Sequence, residues 1–267
     1  MYQAFRSTVP FVIFAAFAPS AAHALPASAR LFQQTYGYKV SCLLCHASGG
    51  GSAANGYGKA FLRAGANSSS FKKLEGADSD GDKIPNIQEI LAKSNPGDRN
   101  STPEKLGEWL ANANSVAIPQ KELEAIFPGY SKFSAIEGSL SAKQLEYLKS
   151  KLGRDPADDD KVPTFYFSEK DGKRVAVGQF ISEHASIGKS LTTGVAVATS
   201  GKVLGVKLMG GSLAKSLETK ESLMNAYTGK STADLPEKPS EPDTSVIHSS
   251  VERSLWLIQA VFGQGAK

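Results

Sequence analysis

The chain's only two cysteines lie three positions apart, and a histidine follows the second: VSCLLCHAS, residues 40–48. Cys42, Cys45 and His46 form the pattern C-x-x-C-H, which is the attachment signature of a c-type haem. The chemistry needs this spacing. Two thiols add to the two vinyl groups of the porphyrin as thioethers, and the adjacent imidazole lies under the iron as its proximal ligand. A thioredoxin-like dithiol would need a βαβ context, which is absent around residue 42. A zinc site would need about four nitrogen or sulfur ligands, which the neighbourhood lacks. One covalent haem c is therefore expected, and the local core is expected to form around its face.

Covalent haem of this kind implies export, and the first residues read the same way. Arg6 is a thin positive n-region, VPFVIFAAFA (residues 9–18) is the apolar stretch, and Ala22-His23-Ala24 is a small-x-small cleavage site. Residues 1–24 read as a signal peptide and the exported chain as starting near Leu25, with a periplasmic or secreted location. His23 leaves with the signal. No later stretch approaches about 18 apolar residues, so no transmembrane segment is expected after signal removal. Both cysteines are consumed by haem, which leaves no disulfide. Thirty basic and 26 acidic residues are interspersed without a basic stripe, a pattern that argues against a nucleic-acid partner.

Residues 25–102 read as a mostly α domain: a short helix, the C-x-x-C-H turn, a Gly-rich loop from Gly49 to Ser52, and a helix with Tyr57, Ala60, Phe61 and Ala64 on one stripe. DSDGDKIPNIQE, residues 78–89, follows. Asp78, Asp80, Asp82, Asn86 and Glu89 occupy positions 1, 3, 5, 9 and 12 of a twelve-residue calcium loop, and Ile84 at position 7 would offer its carbonyl. Lys83 stands at position 6, where glycine is expected, and FKKLEGA reads as a poor entering helix. The competing reading is a solvated acidic turn that caps the helix NIQEILAKS.

Residues 103–162 read as a helical connector and the start of a second domain. A helix is expected from Thr102-Pro103-Glu104, with Leu106, Trp109, Leu110 and Ala113 on its apolar stripe, and another from the capping box Ser141–Gln144. Residues 163–267 read as an α+β domain with an antiparallel sheet. TFYFS and RVAVGQFI flank the turn KDGK, GVAVA and VLGVKLM flank TSGK, and SVERSLWLIQAVF is a final helix.

Two resemblances sharpen this. C-x-x-C-H, N-x-Y-G-K-A-F and D-S-D-G-D in succession resemble small monohaem cytochrome modules, and the acidic loop is similar to the single D-x-D-G-D loops of thrombospondin type 3 repeats and dockerins. ELEAIFPGYSKF, GKSLTTGVAVATSGKVLGVKLMG and LMNAYTGKSTADL resemble the FMN-binding domain of ion-translocating redox complexes and nitrous-oxide respiration regulators, over residues 119–262. That family carries FMN on a threonine of a D-x-x-[S/T]-G-A-T-x-S motif. The aligned stretch is EPDTSVIHSS, where Ile247 replaces the acceptor and has no oxygen to form the ester. The resemblance thus implies FMN held without a covalent bond, its phosphate on Thr244 and Ser249 at the opening of the last helix, or a domain without flavin. His248 is expected to face solvent.

The sixth iron ligand is not legible locally, because no His or Met occurs from Ala47 to Glu183. The remote candidates are His184, read as a loop residue between hairpins, and Met209, Met224 and His248, while Lys59 or a vacant site is the local alternative. The leading functional expectation is a periplasmic electron-transfer protein with redox partner proteins, an electron carrier rather than a catalytic enzyme. The alternative is a haem-based small-ligand sensor whose degenerate flavin domain serves as a docking module.

Overall fold

The computed structural model describes residues 26–263, apart from 51, 117, 187 and 188. Residues 1–24, read above as a signal peptide, lie outside that range. Aromatic residues at helical spacing build the first unit. Its helices are α1 (Pro26–Tyr36), α2 (Gly56–Arg63), α3 (Ser68–Lys73) and α4 (Asn86–Ala92), with a 3-10 turn at Cys42–Leu44. Phe32, Phe61 and Phe71 meet at its centre. Phe61 and Phe71 stack at 4.5 Å, and Phe32 meets Phe71 edge-on at 5.5 Å. Leu31, Val40, Leu44, Tyr57 and Ile90 close this core.

The stretch from Thr102 is a run of turns rather than the expected helix. Thr102 and Lys105 donate backbone hydrogen bonds to each other, and Gly107 takes a left-handed φ of 70°. The reason is Trp109. Its ring is buried in the first unit's core and its Nε1 donates to the Lys93 carbonyl at 3.0 Å. Burying so large a side chain outweighs the few tenths of a kcal/mol per residue that local helix propensity offers.

Beyond it come α5 (Gln120–Ile126), β1 (Phe133–Glu137), α6 (Ala142–Leu152), β2 (Thr164–Lys170), β3 (Lys173–Ser186), β4 (Lys189–Ala198) and β5 (Val203–Gly210). Two short helices, α7 (Ala214–Leu217) and α8 (Glu221–Asn225), and the long α9 (Pro242–Phe262) complete the chain. The strands form one antiparallel sheet in the order β1-β2-β3-β4-β5. The β2–β3 hairpin turns on Asp171 and Gly172, both left-handed, as a two-residue turn of this hand requires. β1 was not legible as a strand. It is a half-buried edge of only five residues inside the expected connector, so the sheet draws on residues before 163.

The sheet's faces divide the labour. Phe165, Phe167, Val177, Val195 and Val197 lie under α9 with Val251, Leu255 and Ile258. Tyr166, Ala176, Ala196, Phe180 and Met209 face α5 through Leu123, Ile126 and Phe127. Two glycines allow that second contact. A Cβ at Gly178 would stand 2.7 Å from Phe127 Cζ, and one at Gly194 would stand 2.7 Å from Met209 Cε.

The helix α9 starts at Pro242, not at Ser250, because proline at the first turn and Asp243 behind it both favour a helix start. Arg253 on this helix is 2 % exposed. Its Nε donates to Asp160 at 2.6 Å and its Nη1 to the Ser182 carbonyl at 2.8 Å, while Asp159 and Glu183 complete the cage. Burial alone would weaken the guanidinium's hold on its proton, but the three carboxylates reverse that and keep it charged. The two units meet through Arg30–Glu137 at 3.2 Å and the Ser68 hydroxyl on Asp158.

Candidate functional site

A cavity of about 580 Å³ lies between the C-x-x-C-H loop and the α5 face of the sheet. This is within the range of about 300–1,000 Å³ that holds cofactors and ligands. One wall carries Cys42, Cys45, Val40, Leu44 and Trp109. The other carries one residue from each of the sheet's five strands: Glu137 of β1, Tyr166 of β2, Phe180 of β3, Thr192 of β4 and Met209 of β5. One side chain of this wall is unsatisfied at its polar end, away from the accessible space. Tyr166 Oη is buried without a hydrogen-bond partner, and burial, then Cys42 and Glu137, keep the phenol protonated.

Both cysteines are free thiols. Gly50 keeps the loop close to them, since a Cβ there would stand 3.3 Å from Cys42 Sγ. Burial pushes the Cys45 thiol up to about 12, with Cys42 adding to the shift. A thiol so reluctant to ionise is the reverse of a redox-active or metal-binding thiolate, whose pKa is lowered by its surroundings.

His46 is 3 % exposed and is not among the residues lining the cavity. Its Nδ1 lies 2.6 Å from the Ser52 carbonyl. A carbonyl only accepts, so Nδ1 carries the proton and Nε2 keeps the lone pair a metal requires. The turn holding these three residues is clamped from behind. Asn55 Nδ2 donates to the carbonyls of Leu43 and Leu44, both at 3.1 Å, and Asn95 Nδ2 donates to Leu43 at 3.0 Å. The Cys45 carbonyl accepts from the Asn55 amide at 2.9 Å. It lies so close to α2 that a Cβ at Gly58 would stand 2.2 Å from it. Asn55, Gly58 and Phe61 of N-x-Y-G-K-A-F thus hold the C-x-x-C-H turn and its core. Asn95 and Ser52 carried no signal in the sequence, since their role depends on backbone carbonyls that only the fold brings near.

The acidic loop converges. Carboxylate oxygens of Asp78, Asp80 and Asp82 all lie within 4.8 Å of one another. Asp80 Oδ2, Asp82 Oδ2 and both oxygens of Glu89 are buried without partners, and Glu89 is 0 % exposed. Burial, then Asp80, Asp82 and Asp78, pushes Glu89 up to about 8, and burial pushes Asp80 up to about 6. Asp78 moves the other way, because the amides of Gly81 and Lys83 donate to it at 2.7 and 2.9 Å. Glu89 lies outside the convergent aspartate set. Three features revise the sequence reading. Asn86 turns its oxygen to the Ser79 amide and its nitrogen to the Leu74 carbonyl, so its side chain is a brace within the loop. FKKLEGA does begin in a helix, α3, so the loop is flanked by helices on both sides. Pro85 is the N-cap of α4, with no side-chain cap bond, so the carboxylates do not serve as its cap. Lys83 takes the left-handed φ of 77° that the loop's sixth position demands, and the Ile84 amide donates to Asp82 at 2.8 Å.

The flavin-like stretch is filled with protein. Ile247 is 0 % exposed among core residues, and Thr244 Oγ1 donates to the Glu241 carbonyl at 3.1 Å. Neither Thr244 nor Ser249 lines the cavity. His248 is buried rather than solvent-facing, its Nδ1 at 3.2 Å from Tyr227 Oη. His184 is exposed within β3, opposite Ser190, and not in a loop. Met224 is core. Met209 lies within β5 and reaches the cavity.

No family model, no curated protein and no solved structure matches the chain.

Proposed function

We propose that this chain is an exported electron-transfer protein carrying one covalent haem c, with Cys42 and Cys45 as thioether sites and His46 as the proximal ligand. What supports the reading is one constellation: two free thiols in the wall of a cavity of about 580 Å³, beside an imidazole whose Nδ1 is bonded to a carbonyl. The haem would supply a one-electron couple. The chain's own part is to hold the C-x-x-C-H turn rigid through Asn55 and Asn95, to fix the His46 tautomer through Ser52, and to wall off water with Trp109, Val40 and Phe180. Buried apolar walls of this kind raise the potential of the iron they enclose. Redox partner proteins in the periplasm would be the donor and acceptor.

The loop at 78–89 is proposed to hold a calcium ion through Asp78, Asp80, Asp82 and Glu89, with the Ile84 carbonyl. Its support is the set of buried carboxylate oxygens that have no other partner. The residues at 241–250 do not fit a flavin. The Thr244 hydroxyl is already engaged and Ile247 fills the position, so the second unit is proposed to act as the wall of the haem cavity. A pyridine haemochrome assay on protein from a host with cytochrome c maturation tests the central assignment. One haem per chain is expected, with attachment weakened or lost in Cys42→Ser and Cys45→Ser, and a colourless wild type would refute it.

A further inference from the structure

We infer that Met209 of β5 completes the coordination of the haem iron, so that the sheet supplies the ligand the helical unit lacks. This rests on the haem assignment at Cys42 and Cys45. Between Ala47 and Glu183 the chain has neither methionine nor histidine, so the unit holding the C-x-x-C-H turn has no second soft donor of its own. Of the remote candidates, His184 is exposed on β3, Met224 is buried in the core beneath α9, and His248 is committed to Tyr227. Among the described residues, Met209 is the only one of these four that lines the cavity with the two cysteines.

Its position follows from the strand beside it. Gly194 of β4 leaves the space into which the Met209 side chain lies, with Cε 2.7 Å from where a Cβ would be. Ile126 and Phe180 bound the same space. The thioether is thereby confined on the wall supplied by the sheet, while both thiols belong to the wall supplied by the helical unit.

Other donors on the cavity wall suit an iron less well. Tyr166 is held protonated by its burial and by Cys42 and Glu137, and a neutral phenol is a poor ligand. Lys39 is paired with Glu137 at 3.6 Å. Carboxylates are hard donors, better matched to calcium or magnesium than to a ferrous porphyrin. A thioether has no proton to lose, and sulfur opposite imidazole stabilises the ferrous state. A haem held by both His46 and Met209 would leave no position for a small ligand, which favours electron transfer over ligand sensing.

The test uses the full-length haem-loaded protein and three forms: wild type, Met209→Leu, which keeps the packing against Gly194 and Phe180, and Met209→His, which restores a strong ligand of another kind. The readouts are the haemochrome content, the near-infrared charge-transfer band of thioether-ligated ferric haem, the spin state, and carbon monoxide uptake by the ferrous form. Expected are equal haem contents, a low-spin wild type with the band, a Met209→Leu variant that loses the band and takes up carbon monoxide readily, and a low-spin Met209→His variant without the band. A Met209→Leu variant that keeps both the band and the low-spin state overturns the inference and leaves the haem assignment standing. So does a high-spin wild type that binds carbon monoxide as fast as the variant. A wild type with no haemochrome signal overturns both.

Discussion

His248 shows how one residue's surroundings become a measurable property of the fold. Burial holds its imidazole below the ordinary value of 6.5; Glu252 opposes that and Lys238 adds to it. The unfolded chain therefore takes up the proton more readily than the folded one. This contribution to stability is intact above pH of about 6.5 and is lost as the pH falls below it. In His248→Gln, which keeps a polar partner for Tyr227 Oη, the acid-side decline in melting temperature is expected to be shallower than in the wild type. Parallel pH profiles for the two proteins would show that His248 is not the group responsible. Residues differ in how far the sequence discloses them. Cys42, Cys45 and His46 stand out through their spacing, because the proposed covalent attachment would fix that spacing in advance. Asn55 and Asn95 do not, because any polar residue can brace a loop and only tertiary geometry selects which one does.

Among the elements, the convergence of Asp78, Asp80 and Asp82 was legible because alternate positions along a tight loop can turn inward together. What escaped was the division of duties within it. Asn86 serves as a brace, and the unpartnered oxygens belong to Asp80, Asp82 and Glu89. Without a cation these carboxylates repel one another, so calcium is expected to raise the thermal midpoint. At a calcium concentration a hundredfold above the dissociation constant, binding contributes about 2.7 kcal/mol. Glu89→Gln separates the two effects. It is expected to match or exceed the wild type in chelator, where a buried carboxyl without partners is gone, and to gain less from calcium. Equal calcium responses in the two proteins would remove Glu89 from the site. The hairpins were legible for a related reason, since Asp171-Gly172 between β-branched runs admits few other structures. The misread element at 102–113 had sound local signals. They lost to the burial of Trp109, a long-range contact that helical periodicity cannot report.

Across the whole molecule, the division into a helical unit and an α+β unit was readable from the change of period, but the cavity between them was not. Its walls come from Cys42 and Cys45 on one side and from Tyr166 through Met209 on the other, and no local pattern joins positions so far apart. Arg253 fixes the far face of that same sheet by binding α9 to β3 and to the 158–161 turn. Arg253→Ala would leave buried carboxylates uncompensated and is expected to destabilise the fold by about 3–5 kcal/mol. A loss within about 0.5 kcal/mol, the range of ordinary surface substitutions, would show that water or rearrangement satisfies the cage.

The covalent haem is tested most directly by intact-mass spectrometry of the full-length protein, expressed with cytochrome c maturation and denatured before measurement. A mass above that of the processed polypeptide by one haem is expected, retained through acid-acetone extraction and mapped to the peptide containing Cys42 and Cys45. A bare polypeptide mass from a host that matures other c-type cytochromes, with both thiols free to alkylation, would contradict it.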